Sequence, residues 1–176
     1  HASPNSFKSE VKNILITFGG ADPNDLTRKV LALIMNFCRE NNIKIQIVTG
    51  TAYQYIDELE QEIKQLKDLD IHYTHATGIM SQIMEQTQIA ITSNGRTVYE
   101  LAHMNIPSIV MSHHERERTH SFTKEENGFM HLGVFKGSET EKSILPALER
   151  LVTDKSHRRL LYDRLIQFKF NENKEK

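Results

Sequence analysis

Short apolar runs alternate with longer amphipathic segments along the whole chain. The apolar runs have no strict in–out alternation, which is typical of strands buried on both faces of a parallel sheet. They predict strands at 12–18, 43–49, 71–75, 88–92, 108–111 and 129–135. Apolar residues at helical spacing predict helices at 23–40, 55–66, 79–87, 96–104, 139–152 and 155–168. Crossovers of this length predict an α/β fold, with a right-handed, doubly wound, Rossmann-like parallel sheet of about six strands.

Several helix ends carry recognisable signals. Asp22 is a candidate N-cap, Pro23 suits the first helical position and Asp25 the third. Ser138 is the candidate cap of the helix that follows it. The polar stretch 112–128 is predicted to form a helix in its second half, which Asn127 and Gly128 would end.

Composition narrows the class of protein. A chain of 176 residues with 38% hydrophobic and 26% charged residues fits one soluble α/β domain. The net charge of −1 argues against a nucleic-acid partner, and no apolar run approaches the ~20 residues that cross a bilayer. The lone Cys38 fits a core position and a cytoplasmic location. We expect residues 1–10 to be an interdomain linker or an expression remnant, 11–170 the domain, and 171–176 a frayed tail.

Two glycine-containing turns follow predicted strands and open predicted helices. Gly19 and Gly20 follow the first strand, and Ser93-Asn94-Gly95, with Thr97, follow the fourth. Glycine at such a turn lets backbone N–H groups approach a phosphate. Neither G-x-G-x-x-G nor a Gly-Lys-Ser/Thr ending is present, so dinucleotide and P-loop sites lose support. Either turn alone also fits an ordinary strand-to-helix turn, whereas two at one sheet edge favour a diphosphate between them.

Two further features are candidates for ligand contacts. Glu100, in the second turn of its helix, can accept hydrogen bonds from both hydroxyls of a ribose, or it is a plain exposed glutamate. The segment 113–120 is dense in His, Arg and Glu. Its spacing matches no zinc motif, so we predict no metal there; contacts to phosphate or sugar and a solvated loop remain open. No G-x-S-x-G elbow is present, and we assign no catalytic residue.

These residues carry a resemblance to a known family. The stretches ILITFGGADPNDLT and ITSNGRTVYELAHMNIPSIV, with the order of elements, cover 13–152. They resemble the C-terminal half of GT-B-type nucleotide-sugar enzymes. Within that class the resemblance is to pseudaminic-acid-pathway UDP-sugar hydrolases and spore-coat polysaccharide SpsG-like proteins, with MurG-like glycosyltransferases as wider relatives.

The resemblance implies roles for particular residues. Gly19 and Gly20 would form the diphosphate-side turn, and Glu100 would bind the ribose. The other implied contacts are Thr77, Gly78 and Ile79 for the uracil ring, Ser93, Asn94, Gly95 and Thr97 for the second phosphate turn, and His114, Glu115 and His120 for the sugar. Where the hydrolases typically carry an acidic-Asn-Gln sequence, this chain has Glu115-Arg116-Glu117.

The resemblance also implies a function and a partner domain. It implies the UDP- or UDP-sugar-binding half of a hydrolase of surface-glycan biosynthesis, without a cofactor, whose catalytic histidine lies in an N-terminal domain. One alternative is the equivalent half of a glycosyltransferase that uses a UDP-sugar donor. Another is a non-catalytic module, because RERTH resembles SpsG-like modules fused to sialic-acid-type cytidylyltransferases.

Overall fold

Six parallel strands form the centre of the molecule in the computed structural model, which describes residues 3–114 and 122–174. The strands are β1 (Asn13–Thr17), β2 (Lys44–Thr49), β3 (Ile71–His75), β4 (Ile89–Ser93), β5 (Ser108–Ser112) and β6 (Phe129–Val134). The helices are α1 (Leu26–Glu40), α2 (Ile56–Gln65), α3 (Met80–Glu85), α4 (Thr97–His103), α5 (Ser138–Thr153) and α6 (Lys155–Lys174). The predicted parallel α/β fold is confirmed.

The strand order creates one special position in the sheet. The order is β3-β2-β1-β4-β5-β6, so the chain leaves β1 in one direction and, after β3, returns to its other side with β4. Thr17 near the end of β1 is the register partner of Thr92 near the end of β4. In open α/β sheets this switch point, at the carboxyl ends of the strands, is where ligands bind.

The sheet is covered on both faces because alternate strand residues point to opposite sides. Ile14 and Ile16 of β1 belong to the larger core cluster, which includes α1, α2 and α5. Leu15 belongs to a second cluster, with Ile83 of α3 and Leu101 of α4. Helices α3 and α4 therefore share one core cluster, and α1 lies with the other.

The start of α1 differs from the prediction. The helix begins at Leu26, not at Pro23, and Asp25 at the cap position makes no side-chain capping bond. Asp22 nevertheless caps the helix from further upstream. Its carboxylate accepts hydrogen bonds from the backbone N–H groups of Leu26 (2.8 Å) and Thr27 (2.9 Å) and from the Thr27 hydroxyl (2.7 Å). The loop can reach back in this way because Asp22 and Asp25 both adopt left-handed backbone angles, with φ of 46° and 51°.

Two other helix predictions need correction. Ser138 is the first residue of α5, and Gly137, with φ of 63°, takes the cap position. Within the described residues 122–128, the helix predicted before Gly128 is the 3₁₀ turn Glu125–Asn127. Gly128 does end it, with φ of 99°, and a Cβ there would lie 2.5 Å from Leu165 Cγ and 2.7 Å from the Leu161 carbonyl. Helix α6 thus packs directly on this glycine.

The segment before β1 contacts the amino-terminal edge of the sheet. Asn5 donates to the carbonyls of Met84 (2.9 Å) and Thr87 (3.1 Å). Arg158, only 2% exposed, donates to the carbonyls of Lys8 (2.9 Å) and Ser9 (3.0 Å). Its other amino group reaches the Leu151 carbonyl at 2.9 Å, at the end of α5. The linker at 1–10 and the tail from 171 stay predictions. Within the described ranges, no helix is long and apolar enough to span a membrane.

Candidate functional site

The two glycine-containing turns lie side by side at the switch point. We call residues 18–25 the first loop and residues 93–97 the second turn. A Cβ placed on Gly19 would lie 3.8 Å from the hydroxyl oxygen of Ser93. A Cβ on Gly20 or on Gly95 would have no other heavy atom within 4 Å apart from its chain neighbours. The two turns therefore lie close together at Gly19, while Gly20 and Gly95 each have an open side.

Residues that directly follow β2 hold the first loop in place. The backbone N–H of Ala52 donates to the Gly20 carbonyl at 3.1 Å. A Cβ on Gly50 would come within 2.5 Å of the Gly20 Cα, so only glycine fits at this crossing. Gly19 has φ of 83°, a conformation that side chains disfavour. These contacts restrain the first loop on the side of β2.

Charged and aromatic groups hold the far end of the first loop. The Tyr53 hydroxyl donates to Asp25 at 2.6 Å, and Arg28 binds Asp25 at 2.9 Å and Glu62 at 2.6 Å. The hydrogen bond that Arg28 donates to Glu62 raises the pKa of Arg28 above its ordinary value. Burial, followed by the contact with Asp25, raises the pKa of Tyr53. Tyr53 thus stays protonated and donates to Asp25, which stabilises the left-handed backbone at that residue.

The second turn is anchored in the core. Ser93 and Asn94 are 6% and 1% exposed, and the Thr123 hydroxyl donates to the Asn94 side-chain oxygen at 3.1 Å. Gly95 is exposed, and Thr97 is the first residue of α4. Asn94 therefore serves to hold the turn, while Gly95 and the start of α4 face outward. Thr123 had no signal in the sequence, because only the folded chain brings it to Asn94.

Glu100 and the segment 77–79 belong to the face of the sheet that carries α3 and α4. Glu100 is exposed in the first turns of α4. Thr77 accepts a hydrogen bond from the Ile79 N–H at 2.9 Å, Gly78 is exposed, and the Ile79 side chain is 48% exposed. Leu101 of α4 and Ile83 of α3 share one core cluster beneath these positions. The exposed carboxylate of Glu100 thus lies in the first turn of α4, and the exposed side chain of Ile79 lies at the start of α3.

The segment after β5 begins with two different histidines. Only 5% of the His113 side chain is exposed, whereas His114 is exposed. Glu115 and His120, both predicted to contact sugar, lie outside the described residues. In the described ranges there is no group of three or more His, Cys, Asp or Glu side chains that could hold a metal ion.

A cavity of about 340 Å³ lies elsewhere, at the amino-terminal edge of the sheet. Its lining includes Asn5, Gln88 and Asn105, which precede strands, and Arg158 and Tyr162 of α6. The predicted contacts that belong to the described residues instead follow the ends of strands at the opposite edge. Among the described residues, that edge has open space at Gly20 and Gly95, where an anion could bind, and the exposed carboxylate of Glu100, which could bind hydroxyl groups.

The fold defines a class of domain. The chain has the Rossmann-like fold that forms the C-terminal half of GT-B glycosyltransferases. It matches the C-terminal domain of a group 1 family glycosyl transferase (LpcC) from Francisella tularensis, with a TM-score of 0.69, 13% identity, and coverage of 92% of this chain and 87% of that one. Acinetobacter baumannii MurG matches with a TM-score of 0.64 and 14% identity, over 91% of this chain and 45% of its own. Staphylococcus aureus MnaA, solved with UDP, matches with a TM-score of 0.65 and 14% identity, over 88% and 41%.

Two curated proteins are similar in sequence. The uncharacterized protein MJ1062 of Methanocaldococcus jannaschii is 36% identical over 114 residues, which are 64% of this chain and 23% of that protein. The spore coat polysaccharide biosynthesis protein SpsG of Bacillus subtilis is 27% identical over 123 residues, which are 70% of this chain and 36% of that protein. The matched region thus spans about a quarter to a third of these relatives. No protein-family model matches the chain.

The comparisons bear out the broad resemblance. Similarity to SpsG and to MurG-type structures was expected from the two sequence stretches around Gly20 and Gly95. A specific likeness to the pseudaminic-acid-pathway hydrolases is not among these matches. The structural matches, all at 13–14% identity, establish the fold and not an activity.

Proposed function

We propose that this chain binds the nucleotide part of a UDP-sugar at the carboxyl edge of β1 and β4, as the C-terminal half of a sugar-nucleotide enzyme of surface-polysaccharide biosynthesis. The observation that carries the proposal is that the first loop and the second turn lie side by side at the switch point, where a Cβ placed on Gly19 would lie 3.8 Å from Ser93 Oγ. Two open glycine turns on adjacent strand ends suit the two phosphates of a nucleoside diphosphate.

With the diphosphate at the two turns, we assign the ribose, the base and the sugar to neighbouring residues. Glu100 accepts hydrogen bonds from the ribose hydroxyls, because it is the exposed carboxylate of the helix that the second turn opens. Thr77, Gly78 and Ile79 flank the base, since they precede α3 on the same face of the sheet. The apolar side chain of Ile79 gives an uncharged ring a surface to pack against. His114, Glu115 and His120 remain our proposed sugar contacts.

The ribose contact can be tested by removing the 2′-hydroxyl from the ligand and the Glu100 carboxylate from the protein, separately and together. Isothermal titration calorimetry of the chain with UDP and with 2′-deoxy-UDP measures how much the 2′-hydroxyl contributes to binding. We expect wild type to prefer UDP and Glu100→Ala to lose that preference. The loss of such hydrogen bonds costs ~1–3 kcal/mol, so UDP should bind Glu100→Ala roughly tenfold more weakly or worse.

Glu85→Ala is the matched control for this cycle. Glu85 is an exposed glutamate at the end of α3 and lines the cavity at the opposite edge of the sheet. It should bind both ligands as wild type does. The proposal fails if wild type binds neither ligand at millimolar concentration. The ribose role of Glu100 fails if Glu100→Ala keeps the full preference for UDP.

The reaction of the whole enzyme is a further part of the proposal. We propose hydrolysis of the bond between sugar C1 and the diphosphate, with a catalytic histidine supplied by an N-terminal domain. The alternative is transfer of the sugar to an acceptor, which the glycosyltransferase fold of the chain favours. Sugar release by the full-length protein without any acceptor supports hydrolysis, and release that requires an acceptor supports transfer. If Glu100→Ala leaves full-length activity intact, the domain is instead a non-catalytic module.

A further inference from the structure

His113 belongs to the segment 113–120, for which either contacts to phosphate or sugar or a solvated loop were expected, but only 5% of its side chain is exposed. The imidazole Nε2 lies 3.3 Å from the Phe18 carbonyl and 3.9 Å from the Asp22 carboxylate. Its Nδ1 lies 3.5 Å from the Asn24 amide nitrogen, and the same amide donates to the His113 carbonyl at 3.3 Å. The ring also makes an edge contact with the Phe18 ring, at 6.2 Å between centroids.

These contacts reach both ends of the first loop. Phe18 begins the loop and Asn24 lies just before its last residue, so one imidazole spans it. His113 follows β5, and β4 lies between β5 and β1 in the sheet. The side chain therefore crosses over the end of β4, where the second turn begins, to reach the loop after β1.

The hydrogen-bonding chemistry assigns a role to each ring nitrogen. A carbonyl only accepts, so Nε2 carries the hydrogen and donates to Phe18. An amide NH₂ only donates, so Nδ1 is the acceptor for Asn24. The tautomer with hydrogen on Nε2 satisfies both contacts at once.

We infer that His113 is a positioning residue that holds the first loop in the shape required to bind a diphosphate. The inference rests on the proposed function. The α1 side of the loop is already held by Asp22 and by the Tyr53–Asp25 contact. The side that faces β5 is held by the His113 ring. Without the ring, the Gly19–Gly20 backbone samples more conformations, and binding a diphosphate must first restrict them.

A comparison of uridine with UDP separates this positioning role from a general structural role. Uridine has no phosphate, so its affinity should not depend on the first loop, whereas that of UDP should. We expect His113→Ala to bind UDP about tenfold more weakly than wild type, as for the loss of about one to two hydrogen bonds. Uridine binding, followed by NMR titration, should stay unchanged. A merely structural defect would weaken both ligands.

Three further variants complete the test. Asn24→Ala removes the contact from the loop side at a half-buried position, so it should fold and should also weaken UDP alone. His113→Gln places an amide donor near the position of Nε2 and should restore part of the UDP affinity. His72→Ala, at a histidine that is 57% exposed on β3, is the matched control and should behave as wild type.

The outcomes distinguish this inference from the proposed function. If wild type binds UDP and both His113→Ala and Asn24→Ala bind it equally well, the positioning role is wrong and the nucleotide site stands. The positioning role is also wrong if uridine and UDP weaken together. If wild type does not bind UDP, the proposed function fails and this inference fails with it.

Discussion

Asp22→Ala should destabilise the protein by removing the cap of α1. The carboxylate is 2% exposed and accepts three hydrogen bonds, at 2.8, 2.9 and 2.7 Å. Replacing an N-cap acid by alanine costs ~0.5–2 kcal/mol, and each hydrogen bond to a charged group contributes ~1.5–3 kcal/mol. These losses are partly offset in the Asp22→Ala variant, because folding no longer has to bury a carboxylate. We expect a loss of about 3 kcal/mol in the free energy of unfolding, measured by urea denaturation.

Matched variants separate the contributions at this position. Asp22 has φ of 46°, so alanine adds backbone strain of roughly 1 kcal/mol that glycine avoids. Asp22→Gly should therefore lose somewhat less than Asp22→Ala. Thr27→Val removes only the hydroxyl contact and should cost about 1 kcal/mol. Because the two residues share that bond, the double variant should lose less than the sum. A loss below ~1 kcal/mol for both Asp22 variants would refute the capping argument.

Three further predictions concern other parts of the fold. Gly128→Ala should cost about 3 kcal/mol in urea denaturation, because its Cβ would overlap Leu161 and Leu165 at a positive φ; a cost near zero would contradict the direct packing of α6. Burial, followed by the charge of Arg150, lowers the pKa of His157 below 6.5. As the pH falls, His157 therefore takes up its proton in the unfolded chain before it does so in the folded protein, and the free energy of unfolding should decrease below about pH 6.5. The His157→Gln variant should show a weaker decrease over the same pH range. Burial raises the pKa of the Cys38 thiol to about 12, so iodoacetamide should label it only after unfolding, as followed by mass spectrometry.

The hydrophobic pattern was sufficient to predict the sheet and the edge that carries the candidate site. Each strand is a short apolar run flanked by polar turns, and each predicted strand overlaps an observed one. Since the carboxyl ends of parallel strands meet at one edge, the turns after β1 and β4 could be expected to lie together. Gly19 and Ser93 lie close together because β1 and β4 are neighbours in the sheet.

Local rules failed where a long-range contact replaced a local one. Asp is a residue type favoured at helix N-caps, but Asp22 caps α1 from four residues before Leu26. It does so through a loop with positive φ angles, which no local sequence pattern predicts. His113 looked like part of a polar loop because its neighbours in sequence are charged. Its burial depends on Phe18 and Asn24, which lie far away in sequence. The partner of Asn94, Thr123, was invisible for the same reason.

The most direct test of the nucleotide site is a titration of the ¹⁵N-labelled chain with UDP, followed by NMR. We expect the amide shifts to concentrate at Gly19, Gly20, Gly95 and Glu100. Gln88 and Tyr162, which line the cavity at the amino-terminal edge of the sheet, should stay unchanged. Absence of shifts at millimolar UDP, or shifts confined to that amino-terminal edge, would contradict a nucleotide site at the switch point.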